Sequence, residues 1–124
     1  MEIIFKSKNF SITPSIEDYA QKKMASLEKF LNNFNKELIK VEVELGRTTR
    51  HHRSGDIFRA EINLSIGSRL FRAESEQEDL FAAIDETRDD LEREIKKFKT
   101  KKETIFIRGA RSIKKKVGIS GLAR

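Results

Sequence analysis

The chain has 124 residues, of which 37% are hydrophobic and 37% charged, enough for one polar-rich domain with a single modest core. It contains no cysteine, which excludes disulfides, thiolate metal sites and a cysteine nucleophile. The net charge of +6 is uneven: residues 1–95 hold 15 Lys and Arg against 19 Asp and Glu, whereas residues 96–124 hold 11 against the single acid Glu103.

In chain order, "EIIFKSK" (2–8) is short, β-branched and aromatic, and reads as a strand. The opening "MEIIFKSKNF" carries an acid and no long apolar run. Neither a signal peptide nor a membrane span is expected there, and the expected compartment is cytoplasmic. "ITPSIEDYAQKKMASLEKFLNNF" predicts a helix, with Thr13 as N-cap and Pro14 at its first position. Ile16, Ala20, Met24, Leu27, Leu31 and Phe34 recur at spacings of three and four on one face, with Lys22, Lys29 and Lys36 opposite. "LIKVEVELG" and "IFRAEINLSI" alternate as half-buried strands do, the second with Phe58, Ala60, Ile62, Leu64 and Ile66 inward.

Gly67-Ser68 suits a two-residue hairpin, and that register sets Leu64 opposite Phe71 and Ile62 opposite Ala73. The last helix is expected to open at Ser75, with Glu78 completing a capping box and Glu76, Glu78 and Asp79 in its first turn. Leu80, Ile84, Leu91, Ile95 and Phe98 form its apolar stripe to about residue 99. The order β-α-β-β-β-α places the chain in the α+β class: a four-stranded sheet with two helices packed on one face.

Catalysis and cofactors are not expected. His51 and His52 are neighbours in a loop without a carboxylate or further histidine at metal-ligand spacing, and no glycine-rich phosphate loop occurs. The chemistry lies in "LEREIKKFKTKK". A helix end favours a cation in its last turn by about 0.3–1 kcal/mol, which accounts for one or two. Arg93, Lys96, Lys97, Lys99, Lys101 and Lys102 exceed that, and they repel one another. A polyanion would offset the repulsion.

"RGARSIKKKVG" (108–118) repeats the theme, with Ala110, Ile113 and Val117 at helical spacing among Arg108, Arg111, Lys114, Lys115 and Lys116. It reads as a short basic amphipathic helix or as a disordered tail, and its small apolar face makes a membrane the weaker partner. A third cluster is Arg47, Arg50, His51, His52 and Arg53 between the second and third strands. Most phenylalanines fall on inward positions, so the ligand is expected to be structured RNA, read by shape and phosphate.

"ITPSIEDYAQKKMASLEKF", "FRAEINL" and "EDLFAAIDETRDDLEREIKKFK", in this element order, resemble the ribosome hibernation-promoting factor family over about residues 1–102. That family is also known as ribosome-associated inhibitor A or sigma-54 modulation proteins. The resemblance implies a double-stranded-RNA-binding-like domain in the decoding channel of the small ribosomal subunit, on its 16S-type RNA. It would compete there with mRNA and tRNA and inhibit translation by occupancy, with no small-molecule substrate and no catalytic step.

The family's basic positions fall on Lys23, Lys29, Arg93, Lys97 and Lys101. Asp90 and Ser26 stand where the family often has lysine, and Lys96, Lys99 and Lys102 would compensate. Longer members carry a second domain that pairs ribosomes, and none is expected in residues 103–124. That segment is expected to be a basic tail, mobile in the free protein and ordered on RNA. The alternatives are a regulatory protein acting on a sigma factor and a generic structured-RNA binder.

Overall fold

The computed structural model describes residues 1–49 and 55–117, except the side chains of residues 49 and 100–117. It falls into two compact units, Met1–Arg93 and Glu94–Arg124. The first unit contains β1 (Glu2–Lys8), α1 (Pro14–Ala25), β2 (Ile39–Thr49), β3 (Asp56–Ile66) and β4 (Arg69–Gln77). It also contains the start of α2 (Leu80–Val117), which continues through the second.

The four strands lie in chain order. β1 runs parallel to β2, a pairing that needs a crossover, and α1 supplies it. β2, β3 and β4 are antiparallel neighbours. Alternation sends Val41, Val43, Leu45, Ile62, Leu64 and Phe71 into the core, where Ala20 and Met24 of α1 and Ala83, Ile84 and Leu91 of α2 are also buried. Thr87 is fully buried on α2, and its hydroxyl is satisfied by its own helix, donating to the carbonyls of Ala83 at 3.1 Å and Ile84 at 2.8 Å. Gly67 has φ +60, the positive value that a two-residue hairpin demands of its first residue. Leu64 faces Phe71 and Ile62 faces Ala73, as the hairpin register predicted.

Three expectations change. Thr13 caps α1, its Oγ1 accepting from the Ile16 amide at 3.2 Å, but the helix ends at Ala25 and not near Phe34. Ser26 donates to the Lys23 carbonyl at 2.6 Å, and a single 3-10 turn at Glu28–Phe30 follows. Leu27 and Leu31 are still buried, so the apolar spacing persists through a tighter backbone.

Ser75 does not open α2. It is buried in β4 opposite Ala60, because the inward alternation of Phe71 and Ala73 carries through it and the ladder outweighs a local cap signal. Asp79 does the capping, its Oδ1 accepting from the Phe81 amide at 3.1 Å. Glu76 therefore lies in β4, and Glu78 and Asp79 precede the first helical residue. Finally, α2 runs to Val117 and not to about residue 99. The chain's one proline is Pro14, and Gly109 inside the helix costs only about 1 kcal/mol relative to alanine.

The outer face of the sheet is polar. Glu44, Glu61 and Glu74 stand in one row across β2, β3 and β4, an arrangement of like charges that is unfavourable unless bridged. Arg59 and Arg72 bridge Glu61 and Glu74 of this row: each places Nη2 on Glu61 Oε1, at 2.9 and 3.1 Å, and Arg59 also meets Glu74. The hydrogen bond from Arg59 holds the Glu61 carboxyl below its usual range and raises the guanidinium in return.

Candidate nucleic-acid interface

The cations singled out on the two helices do not stand alone. Lys22 and Lys23 close the last turn of α1, where the negative end of the helix favours them. Lys22 Nζ lies 3.1 Å from Asp18 one turn earlier. Lys23 Nζ lies 3.2 Å from Asp85 Oδ1 on α2. The same oxygen accepts from the Tyr19 hydroxyl at 2.6 Å. That hydrogen bond, with some desolvation and the nearby carboxylates, pushes the Tyr19 phenol up to about 12. Lys23 also lies 5.4 Å from the Tyr19 ring centroid, and Tyr19 packs edge-on against Phe81, so one carboxylate organises a small aromatic-cationic cluster. Lys29 is exposed and lies 5.2 Å from the Phe30 ring centroid.

On α2, Arg93 is ion-paired with Asp90 one turn earlier. Asp85, Glu86, Asp89 and Asp90 line a shallow groove with Arg93, so four carboxylates face one guanidinium. The two departures from the family pattern thus have structural roles. Asp90 neutralises Arg93. Ser26 accepts from Arg88 Nε at 2.8 Å while its backbone carbonyl takes a longer contact from Arg88 Nη2, tying the end of α1 to α2.

Arg88 was missed from the sequence. Its side chain is only 13% exposed and also pairs with Asp89 and Glu92. The signal was its place between Ile84 and Leu91 on the apolar stripe, where a cation needs partners.

In the second unit, Lys97 Nζ lies 3.6 Å from Glu94, Lys96 is exposed and Lys99 half-buried. Lys101, Lys102, Arg108, Arg111, Lys114, Lys115 and Lys116 belong to the helical backbone of α2, but their side chains lie outside the described residues. Arg50, His51, His52 and Arg53 lie outside them altogether. Arg47, at the end of β2, is 3.8 Å from Asp56 across the hairpin. Among the described residues no helix is long and apolar enough to cross a membrane.

A family model described as "Sigma 54 modulation protein / S30EA ribosomal protein" matches residues 3–103. The chain belongs to this family. A "Ribosome hibernation promotion factor" of Picosynechococcus sp. is 32% identical over 101 residues, covering 82% of this chain and 50% of the relative. One from Staphylococcus aureus is 29% identical over 93 residues, 75% of this chain and 45% of the relative. This family member thus spans about half the length of the curated relatives it matches.

Among solved structures, the N-terminal domain of Thermus thermophilus Protein Y is 33% identical with a TM-score of 0.64, covering 79% of this chain and 99% of that one. A ribosomal subunit interface protein from Coxiella burnetii shares the fold at 16% identity and a TM-score of 0.61, over 81% of this chain and 99% of that one.

Proposed function

We propose that this protein is a ribosome hibernation factor of the cytoplasm that binds the small ribosomal subunit and keeps it idle. It occupies the decoding channel, excludes mRNA and tRNA, and inhibits translation without making or breaking a bond. Recognition is of structured RNA by shape and phosphate, not by base sequence. The observation that carries this reading is the concentration of charge: 11 Lys and Arg against two acids in residues 94–124, continuing a fold shared with the family. Relatives named as hibernation promotion factors support the same reading. Residues 1–102 form the binding domain in this proposal, and 103–124 a basic accessory arm.

The test is co-sedimentation with purified small subunits across a salt series, followed by competition with mRNA and initiator tRNA. Six to ten phosphate contacts on duplex DNA lose about 10³–10⁵ in affinity between 50 and 200 mM salt, and the same steep direction is expected here. Affinity that is flat with salt, or binding indifferent to both competitors, overturns the reading. Protein that stays in the soluble fraction beside a sigma factor would favour the regulatory alternative.

A further inference from the structure

α2 continues as a helix from residue 94 to Val117 within the second unit, and its basic residues are not spread evenly around it. Positions 97, 101, 104, 108, 111 and 115 follow at alternating spacings of four and three, the recurrence that keeps residues on one side of an α-helix. They hold Lys97, Lys101, Thr104, Arg108, Arg111 and Lys115. The opposite line begins at Ile95 and passes Lys99 and Lys102 before Phe106, Ala110, Ile113 and Val117. Five cations and one threonine therefore share a line that carries neither an acid nor a large apolar residue.

We propose that Lys97, Lys101, Arg108, Arg111 and Lys115 form a single linear surface that docks, as a helix, along a continuous run of RNA phosphates. This rests on the RNA-binding reading above and deepens it, because it separates these cations from equally charged neighbours. From Lys97 to Lys115 the helix advances about 27 Å at about 1.5 Å per residue. One strand of a duplex presents a phosphate roughly every 3.4 Å along the axis, so about eight phosphates span the same length, enough to engage all five cations. Like charges at these spacings destabilise an isolated helix, so the line is maintained at a cost that an aligned polyanion removes. An anionic membrane is the competing surface. Helices that lie in a membrane interface bury a substantial apolar face, and Lys99 and Lys102 interrupt the apolar line here.

The experiment uses the full chain, purified small subunits and a ribosomal RNA duplex, with affinity measured against salt. Inserting one alanine between Thr104 and Ile105 changes no charge, but turns Arg108, Arg111 and Lys115 by about 100° away from Lys97 and Lys101. Inserting four alanines there turns them by about 400° and returns them nearly to the same side. The single insertion is expected to weaken duplex binding about tenfold and to flatten the salt slope by about two, at about 0.7–0.9 per phosphate, with the fourfold insertion restoring most of both. Two insertions of equal effect would mean a flexible charged tail and overturn the proposal.

A second pair of variants removes three charges each: K101Q/R108Q/R111Q on the line, and K99Q/K102Q/K114Q off it. The first should lose far more affinity, and equal losses overturn the proposal without relying on an insertion. Phase-dependent binding to anionic phospholipid vesicles, with RNA binding indifferent to phase, would overturn it in favour of a membrane. A phase effect on the duplex across the insertion variants, with wild-type protein that ignores the small subunit, overturns the hibernation reading and leaves this one standing.

Discussion

In the sheet unit Lys22, Lys23, Arg59, Arg72, Arg88 and Arg93 each lie against a carboxylate of the same unit, whereas residues 94–124 carry 11 Lys and Arg against two acids. Surface pairs of the first kind contribute only about 0–1 kcal/mol each, but they fix where side chains sit. Surplus cations of the second kind find counter-charge in mobile ions until a polyanion displaces those ions, which is the origin of steep salt dependence. In the proposed function the sheet unit, with its paired charges, is the platform and the continuing helix the electrostatic drive.

That contrast breaks most severely if the platform is removed. Ile62→Ala, in the middle of β3 and fully buried, is expected to cost about 2–5 kcal/mol, measured by urea unfolding. The drive is roughly halved next by ending the chain after Lys102, which deletes Arg108, Arg111, Lys114, Lys115, Lys116 and Arg124 with Glu103. Affinity for the small subunit should fall by about a hundredfold at low salt, and the salt slope should flatten by up to about four. An unchanged slope would show that residues 103–124 take no part in binding.

A smaller effect comes from unmasking the platform. Asp85→Asn and Asp90→Asn together should raise affinity about three- to tenfold, because Lys23 and Arg93 no longer have to exchange a carboxylate for a phosphate. Asp85→Asn has a second readout, since the chain has one tyrosine and no tryptophan. The Tyr19 phenol, pushed up to about 12 chiefly by its hydrogen bond to Asp85, should ionise at lower pH in the variant, followed by ultraviolet absorbance. The sign follows from linkage. A phenol raised in the folded state stabilises below its unfolded value of 10.0, and that contribution is lost as pH climbs towards 12.

The smallest expected effect is on the outer sheet. Glu61 is held below its usual range by Arg59, so its contribution is present above the unfolded carboxylate value and disappears as pH falls through the folded one. Glu61→Gln should cost about 1 kcal/mol at neutral pH and progressively less in acid, measured by thermal unfolding against pH.

What could be read from the sequence was what neighbouring residues decide. The Thr13-Pro14 cap, the strand at residues 2–8, the Gly67-Ser68 hairpin and the facing of Leu64 with Phe71 are all settled within a few positions. Ser75 misled because a cap signal is local while its place in β4 is set by Ala60 on another strand. The extra length assigned to α1 had the same origin: Leu27 and Leu31 keep helical spacing although the backbone does not. On the candidate surface the cationic helix end was legible as charge. The partners of Lys23 and Arg88 were not, because Asp85 meets Lys23 and Ser26 meets Arg88 only after α1 and α2 pack together.

The parallel edge also bears on how the chain reaches this state. β2, β3 and β4 are joined by direct antiparallel connections and can zip locally, whereas Ile3 must find Val41 across the whole of α1. Loop closure makes that the slowest pairing to form. Until β1 arrives, the free edge of β2 is an open ladder bordered by Val41, Val43 and Leu45. An intermediate of that kind can add a strand from another molecule as readily as its own. Refolding yield should therefore fall as protein concentration rises.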